Sequence, residues 1–347
     1  MDRNKNDYIS FASIISAFAV VVLHTNGCFW SFSKTARYWK TANIIECVFY
    51  FAVPIFFMIS GATLLDFFQR YGLREFLIKR IRKTVVPYIF WSLFGLGFQV
   101  YYLKNVDKEM INGKYIINGL LSGGHVSIYW FFIPLFCAYL SIPLFAALAE
   151  ELRKKVLCYM AIICFLLNCV MPFLNSVYRI QIKYQFSVAA GSGYLLYLIL
   201  GYLLYKYEVK DKVRYSIYAL GIVGLLMHIL GTYRLSMAAG EIVPTYKGYT
   251  NVPCILYSVA VFLFVKYAWG GKATSVCLVN RIMYFLKDYT FGVYLIHWYI
   301  IQIAIREFDV NTQSIYYRLG FPFAIVAVAI VLIQLIRKIP FGKSILP

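Results

Sequence analysis

Acidic residues are scarce in this 347-residue chain, which carries 15 Asp and Glu against 34 Lys and Arg, and charged residues of both signs make up only 14% of it. The chain also has no Pro/Gly/Ser-rich linker, no low-complexity tract and no convincing internal repeat. So few charges leave little room for a separate soluble domain. We therefore expect a single domain over residues 1–347.

The eight cysteines lack the spacing of a metal site or of a disulfide framework. They form no CxxC pair, and no histidine lies at metal-ligand spacing from them. Most lie inside apolar runs, where cysteine behaves as a small hydrophobic residue. The sequence therefore predicts neither a bound metal nor disulfide bonds.

Apolar residues fill the space that charges leave: 61% of the chain is hydrophobic, 19% is aromatic, and the mean hydropathy is +0.69. This composition predicts an all-α integral membrane protein. Because one crossing needs roughly 17 to 25 apolar residues, we predict about ten transmembrane helices in one bundle. The predicted spans are at about 9–27, 42–66, 84–103, 126–149, 156–173, 186–205, 214–233, 250–268, 284–305 and 317–336.

The basic residues are unevenly distributed between the two sides of this predicted bundle. The N-terminal tail, the C-terminal tail and every second loop carry 22 of the 34 Lys and Arg residues. By the positive-inside rule this bias places both termini in the cytoplasm. We expect a lipid bilayer as partner and no nucleic acid, because the bases are dispersed over six segments and form no single stripe.

Ionisable residues inside a span are candidates for function, because a charge at the membrane centre costs roughly 2.5 to 3.5 kcal/mol on insertion scales. His24 lies about 24 Å along the helix from Tyr8, in the outer half of the membrane. Glu46 begins the second span at a similar depth. A carboxylate near an imidazole orients the ring and raises its basicity. We predict His24 and Glu46 as a catalytic dyad, the alternative being that His24 binds a backbone carbonyl or faces the headgroups.

Two further histidines lie within spans. His297, in "YTFGVYLIHWYI", is near mid-membrane and is either a second catalytic acid or base or a histidine packed among aromatic residues. His228, in "GLLMHILG", has no evident partner, and we predict a structural role for it.

The stretch "SGGHVSIYWFF" lies at the outer entry of the fourth span and contains His125 and Trp130. Loops of this kind present side chains to a substrate. We predict that His125 and Trp130 bind substrate, with a merely solvated histidine as the alternative.

The most basic segment reads "RYGLREFLIKRIRKTVVPY". Its six bases alternate with Leu, Phe and Ile, a pattern typical of an interfacial amphipathic helix on anionic headgroups. It also fits a phosphate-binding site, because Arg80 and Lys83 lie one turn apart just before a span that has Pro87 in its first turn.

Six stretches together resemble the membrane acyltransferase-3 family in order and spacing, from Tyr8 to about Lys338. They are "ISFASIISAFAVVVLH", "AVPIFFMISGATLL", "FLIKRIRKTVVPYIFWSLF", "YWFFIPLFCAYLSIPLF", "LLYLILGYLLYK" and "YTFGVYLIHW". The resemblance implies a ten-helix protein of the bacterial plasma membrane that takes an acyl group, usually acetyl, from acyl-CoA at the cytoplasmic side. The acyl group is delivered to a hydroxyl of a cell-surface or capsular glycan, which makes the protein an O-acyltransferase. By this resemblance His24 matches the family's first-span histidine, and Arg80 with Lys83 match its basic motif.

The chain departs from the family pattern at Ser13. The family has an arginine, ten residues and then the histidine, and eleven residues make three helical turns with only about 20° of drift. Ser13 and His24 therefore share one helix face, on which we expect Ser13 to contact the acyl-CoA. Serine offers one neutral hydrogen-bond donor where arginine offers a planar charged fork. The module also resembles the membrane part of vancomycin-resistance serine racemases, which implies amino-acid transport, of a substrate like L-serine, as the alternative function.

Overall fold

The computed structural model describes residues 3–178, 193–269 and 277–347, whose regular secondary structure consists of helices. This confirms the predicted all-α class. The helices are α1 (Arg3–Thr25), α2 (Arg37–Phe49), α3 (Ala52–Leu64), α4 (Leu73–Leu103), α5 (Gly113–Ser122), α6 (Phe132–Ala146), α7 (Glu150–Tyr178), α8 (Leu195–Lys206), α9 (Asp211–Ala239), α10 (Val252–Trp269), α11 (Cys277–Leu286), α12 (Thr290–Glu307), α13 (Ile315–Ile336) and α14 (Gly342–Ile345).

In the described part of the chain, eight helical segments are long and apolar enough to cross a membrane. They correspond to eight of the ten predicted spans. The sixth prediction, 186–205, is covered only by α8, because residues 186–192 lie outside the described residues. The ninth, 284–305, corresponds to α12, an 18-residue helix with His297 in its buried middle. The total of ten crossings stays a prediction.

Helix α1 runs through the middle of the bundle and packs against α3, α10, α12 and α13. Its buried faces carry small residues, among them Ala12, Ser16 and Ala19, which allow neighbouring helix backbones to approach closely. The hydroxyl of Ser13 and the ring of His24 project from this central helix toward α12. The site is therefore built on α1 and the helices around it.

Two glycines permit the tight packing of α3 against α8. A Cβ atom at Gly61 would lie 1.9 Å from the carbonyl oxygen of Leu198, and one at Gly201 would lie 2.1 Å from the carbonyl oxygen of Met58. Neither backbone contact leaves room for a side chain. This pairing fixes α3, which forms a wall of the cavities described below.

The beginning of α1 and the chain after α13 lie at the same end of the bundle, here called the basic end. The Tyr284 hydroxyl donates to Asp7 Oδ1 at 2.6 Å. Arg337 donates to the carbonyl oxygen of Leu346 at 2.9 Å and to that of Asp288 at 2.8 Å. The beginning of α1 and the segment after α13 therefore lie on one face of the bundle. The placement of both termini in the cytoplasm stays a prediction.

A polar clamp joins three helices at the basic end. Asp66, just after α3, accepts hydrogen bonds from Arg153 at 2.8 Å, from Lys206 at 2.9 Å and from the Tyr202 hydroxyl at 3.1 Å. Arg153 also donates to the carbonyl oxygens of Ala146 and Leu148. Each charge has an opposite partner, which a partly buried charge requires. The clamp holds the ends of α3, α7 and α8 in register.

Candidate active site

Two cavities follow α1 through the bundle. The basic cavity has a volume of about 630 Å³, opens at the basic end and includes Ser13 in its wall. The aromatic cavity has a volume of about 270 Å³ and includes His24 in its wall. Ser13 and His24, about 16 Å apart along the axis of α1, therefore border two different cavities.

Basic side chains dominate the charge of the basic cavity. Its described lining carries one acidic residue, Asp288, against four basic ones. An excess of cations on a concave surface attracts anions such as phosphate groups. The four basic residues are Lys83, Lys287, Arg337 and Lys343.

Ser13 is fixed by a chain of hydrogen bonds on the wall of the basic cavity. Its hydroxyl donates to Thr290 Oγ1 at 3.1 Å, and the Thr290 hydroxyl donates to the carbonyl oxygen of Lys287 at 3.0 Å. A neutral pair of hydroxyls therefore stands where the resemblance implied a guanidinium. The arrangement joins α1 to the first turn of α12.

The predicted phosphate-binding pair, Arg80 and Lys83, is divided between two environments. A widened π-helical turn at Ile81–Val85 begins directly after Arg80 and contains Lys83, and such turns are frequent at functional sites. Lys83 lines the basic cavity. The Arg80 guanidinium lies 5.6 Å from the ring centroid of Tyr139, another residue of that cavity. Its Nε atom is buried and has no hydrogen-bond partner within the described ranges.

The sequence prediction missed Arg337, Lys343 and Lys287. Arg337 is held by the carbonyl oxygens of Leu346, Pro347 and Asp288, so the segment after α13 forms part of the cavity wall. The sequence contains one sign of these three residues, which is that they lie in basic segments on the predicted cytoplasmic side. Topology alone does not tell which of those dispersed bases meet in space.

The aromatic cavity combines flat rings with a buried ion pair. Lys247, in the loop between α9 and α10, places its Nζ 3.0 Å from Glu46 Oε1, and the two side chains are 3% and 4% exposed. Asn26 donates to the other carboxylate oxygen of Glu46 at 3.5 Å. Lys247 was not foreseen from the sequence, because a lysine in a predicted loop carries no sign of burial.

Aromatic rings surround the Lys247 ammonium. Its Nζ lies 4.0 Å from the ring centroid of Tyr50, 4.6 Å from that of Trp30 and 5.2 Å from that of Phe29. Cation–π attraction at these distances adds to the ion pair with Glu46. The ammonium is therefore held from several directions.

Tyr249, in the same loop, stacks on Tyr50 with ring centroids 4.1 Å apart. Burial, with the nearby Tyr50 and Glu46, raises the pKa of the Tyr249 phenol well above its usual value. The phenol therefore stays neutral, and Tyr249 contributes a flat uncharged face to the cavity.

His24 has a second histidine as its nearest ring. The ring centroids of His24 and His297 are 5.2 Å apart, with the planes inclined at 38°. His297 Nδ1 lies 2.9 Å from the carbonyl oxygen of Val293. Because a carbonyl only accepts, that nitrogen carries the hydrogen, and Nε2 of the neutral ring keeps a lone pair. His297 Nε2 is buried and lacks a hydrogen-bond partner among the described residues.

The structure gives each member of the predicted His24–Glu46 dyad a different contact. Both side chains line the aromatic cavity. The carboxylate, however, pairs with Lys247, and the imidazole contacts the ring of His297. Direct support of His24 by Glu46 therefore stays a prediction.

The two residues predicted to bind substrate, Trp130 and His125, lie in different parts of the structure. Trp130 lines the aromatic cavity and stacks on Tyr249, with ring centroids 5.5 Å apart. His125 is buried against α5, where its Nε2 lies 3.0 Å from the carbonyl oxygen of Ile116 and its ring fills the space above Gly119. His125 lines neither cavity, so its predicted role has no support from its position.

His228 is fully buried against the ring of Tyr50, as expected of a structural residue.

A thin aromatic partition divides the two cavities. Phe131 and Tyr294 line both of them, and their ring centroids are 5.4 Å apart. The Tyr294 hydroxyl donates to the carbonyl oxygen of Ile128 at 2.6 Å. These two rings therefore lie between the two spaces.

No group of three or more His, Cys, Asp or Glu side chains suited to a metal ion occurs in residues 3–178, 193–269 and 277–347. The seven cysteines with described side chains are free thiols. The polar groups in the described linings of the two cavities are imidazole, carboxylate, ammonium, guanidinium and hydroxyl groups.

These features define a multi-pass membrane protein with basic and aromatic cavities stacked within its bundle. The family model described as an acyltransferase domain, that of the acyltransferase-3 family, matches residues 6–335. The chain belongs to the acyltransferase-3 family and is a membrane acyltransferase. Comparison with curated proteins and with solved structures gives no significant match.

Proposed function

We propose that this protein is an O-acyltransferase of the bacterial plasma membrane that moves an acetyl group from acetyl-CoA to a hydroxyl of a cell-surface or capsular glycan. The observation that carries the proposal is the stacking of the two cavities along α1. One is rich in cations and opens at the basic end, and the other contains His24. Among the described residues, two side chains, Phe131 and Tyr294, line both.

Acyl-CoA binds at the basic cavity in this scheme. Its phosphate groups need several cations, and Lys83, Arg337 and Lys343 are available on the wall, with Arg80 behind Tyr139. Ser13 contributes a hydroxyl to the same wall. The acyl end of the molecule extends past Phe131 and Tyr294 toward His24. The basic end is then the cytoplasmic end, in agreement with the excess of Lys and Arg in the loops predicted on that side.

His24 acts as the general base. It takes the proton from the acceptor hydroxyl, and the oxygen forms a bond to the carbonyl carbon of the thioester. The carbon–sulfur bond then breaks, and the CoA thiolate leaves and takes a proton, which His24 returns. His297 stands behind His24 as a second imidazole whose Nε2 lone pair is available to the protonated ring. Glu46 acts on the acceptor side of the cavity together with Lys247.

Substitution of His24 tests the assignment. We expect His24→Gln to reduce release of free CoA thiol from acetyl-CoA in proteoliposomes by a factor of about 10² to 10⁴. The O-acetyl content of the surface polysaccharide should fall equally in a host that expresses the variant at an unchanged level. Binding of acetyl-CoA should persist, because the substitution leaves the cations of the basic cavity unchanged. Unchanged acetylation would refute the role of His24.

The same stacked cavities favour one other function, transport of an amino acid such as L-serine without acyl transfer. A path closed by two side chains between binding spaces suits a substrate that crosses the membrane. This alternative predicts saturable uptake of L-serine into proteoliposomes that does not depend on CoA. The acyltransferase proposal predicts thiol release that depends on an acceptor hydroxyl.

A further inference from the structure

The charge of the aromatic cavity is internally balanced. Its described lining carries one carboxylate, Glu46, and one ammonium, Lys247, in contact at 3.0 Å. The remaining described lining residues are His24 and apolar or aromatic side chains. With His24 neutral, the net charge of the cavity is zero.

The ion pair is almost completely removed from solvent, since its side chains are 3% and 4% exposed. An additional charge brought into such a site meets no unpaired counter-ion among the described lining residues. A substrate carboxylate would compete with Glu46 for Lys247 and leave one negative charge unpaired, and a substrate ammonium would leave one positive charge unpaired. An unpaired charge in a poorly solvated space is strongly unfavourable.

The rings around Lys247 prevent the pair from opening to accommodate such a charge. The ammonium lies against Tyr50, Trp30 and Phe29 in addition to Glu46. Swinging it toward a substrate carboxylate would lose these contacts together. The lysine is therefore built into the wall and is not a free cation at the mouth of the cavity.

Uncharged hydroxyl groups face no such conflict. A hydroxyl can donate to a Glu46 oxygen or accept from the Lys247 ammonium while the charges stay paired. The cavity also offers flat apolar faces, from Trp130 stacked on Tyr249 and from Trp30, which is 63% exposed. Such faces pack against the C–H surface of a ring, and the polar groups fix its orientation.

We propose that the Glu46–Lys247 pair makes the aromatic cavity selective for an uncharged sugar residue with free hydroxyls, and against sugars that carry a carboxylate or a free amine. That this sugar is the acyl acceptor rests on the proposed function. The selectivity itself rests on the charge balance and burial of the cavity.

Three methyl glycosides of the same ring test the inference: methyl glucoside, methyl glucuronide and methyl glucosaminide, which are neutral, anionic and cationic. Binding to the full-length protein in nanodiscs is measured by tryptophan fluorescence without acyl-CoA at pH 6, where the amine of the glucosaminide is protonated and the carboxyl of the glucuronide is ionised. Acyl transfer is measured separately with acetyl-CoA. We expect the wild type to bind the glucoside at least tenfold more tightly than either charged sugar. If the wild type binds a charged sugar as tightly as the glucoside, or more tightly, that result alone overturns the proposal.

Single substitutions then shift the preference in opposite directions. Glu46→Gln leaves Lys247 unpaired and should raise the glucuronide-to-glucoside affinity ratio at least tenfold. Lys247→Gln leaves Glu46 unpaired and should raise the glucosaminide-to-glucoside ratio by a similar factor. The double variant, with both substitutions, has no net charge in the cavity and should bind the three sugars in the same order of affinity as the wild type. Ratios that do not change in folded single variants would contradict the role of the pair.

The two readouts separate this inference from the proposed function. Selective binding of the glucoside without any acyl transfer would leave the neutral-sugar site standing and would contradict the acyltransferase proposal. Acyl transfer to all three sugars with equal efficiency would support the acyltransferase proposal and would contradict the neutral-sugar site.

Discussion

The imidazole rings of His24 on α1 and His297 on α12 lie 5.2 Å apart, centroid to centroid. His24 borders the aromatic cavity, whereas His297 is fully buried, with Nδ1 against the carbonyl oxygen of Val293. Two imidazolium charges at this distance would repel each other in a poorly solvated space. Protonation of one ring therefore disfavours protonation of the other. A neutral His24 has the lone pair that a general base requires.

Replacement of His297 by phenylalanine should separate catalysis from packing. A phenyl ring fills a similar volume beside His24 and Tyr294 but has no nitrogen lone pair. If Nε2 of His297 supports the protonated His24, kcat for acyl transfer should fall about 10-fold to 100-fold, with little change in KM for acetyl-CoA. Steady-state kinetics of the purified variant would provide the measurement.

Stability should respond differently to the same substitution. Nε2 of His297 is buried without a hydrogen-bond partner among the described residues, so its removal leaves no partner unsatisfied. The carbonyl of Val293 lies within α12 and keeps its backbone hydrogen bond. We expect an unchanged or higher midpoint of thermal denaturation. A loss of activity that parallels a loss of stability would argue for a structural role only.

Ser13→Arg should strengthen binding of acyl-CoA. The wall position of Ser13 beside Thr290 faces a cavity of about 630 Å³, which has room for a guanidinium. An additional charge–phosphate contact in a partly solvated space contributes about 1 kcal/mol, which is about fivefold in Kd. Isothermal titration calorimetry with acetyl-CoA measures the effect.

The matched control at this position is Ser13→Gln, which introduces a long neutral side chain. It should leave the affinity for acetyl-CoA within twofold of the wild type. A weaker affinity in Ser13→Arg would mean that the four cations already present repel the new one. It would also mean that the phosphate groups do not reach this wall.

His125→Asn should lower stability and leave substrate binding unchanged. The substitution removes the contact of Nε2 with the carbonyl oxygen of Ile116 and empties the space above Gly119. The loss of one hydrogen bond and of ring packing costs about 1 to 3 kcal/mol. Thermal denaturation should show this loss, while KM for acceptor and acetyl-CoA stays the same. An increased acceptor KM at unchanged stability would restore the predicted role in substrate binding.

The fold was accessible from the sequence because a membrane span is a local property. Apolar runs of sufficient length, interrupted by basic loops, predicted eight of the segments that the structure describes as long apolar helices. The eleven-residue spacing likewise placed Ser13 and His24 on one face of α1, since helical geometry depends only on the distance along the chain.

The partners of the site residues were not accessible in this way. Glu46 meets Lys247 across about 200 residues of sequence, and His24 meets His297 across a still longer separation. Neither spacing nor hydropathy determines which helices become neighbours. For the same reason the cations of the basic cavity, Lys287, Arg337 and Lys343, were seen only as part of a dispersed basic excess.

Phe131 should determine which acyl groups pass between the cavities. Its ring lines both spaces, packs against Tyr294 at 5.4 Å and is 6% exposed. Phe131→Ala removes half of the partition and joins the cavities. We expect the kcat/KM ratio of hexanoyl-CoA to acetyl-CoA to rise at least tenfold, because a longer chain then reaches past the partition without displacing a ring.

Phe132→Ala is the matched control for this effect. Phe132 is the next residue and is fully buried. It packs against Tyr88 and Phe136 and touches both partition rings, but it lines neither cavity. Both substitutions remove a large ring and should cost stability, about 3 to 5 kcal/mol for a fully packed phenylalanine. Only Phe131→Ala should alter acyl selectivity. A similar shift in both variants would indicate general loosening of the bundle, and the acyl group would then have to reach His24 by a route that does not cross the partition.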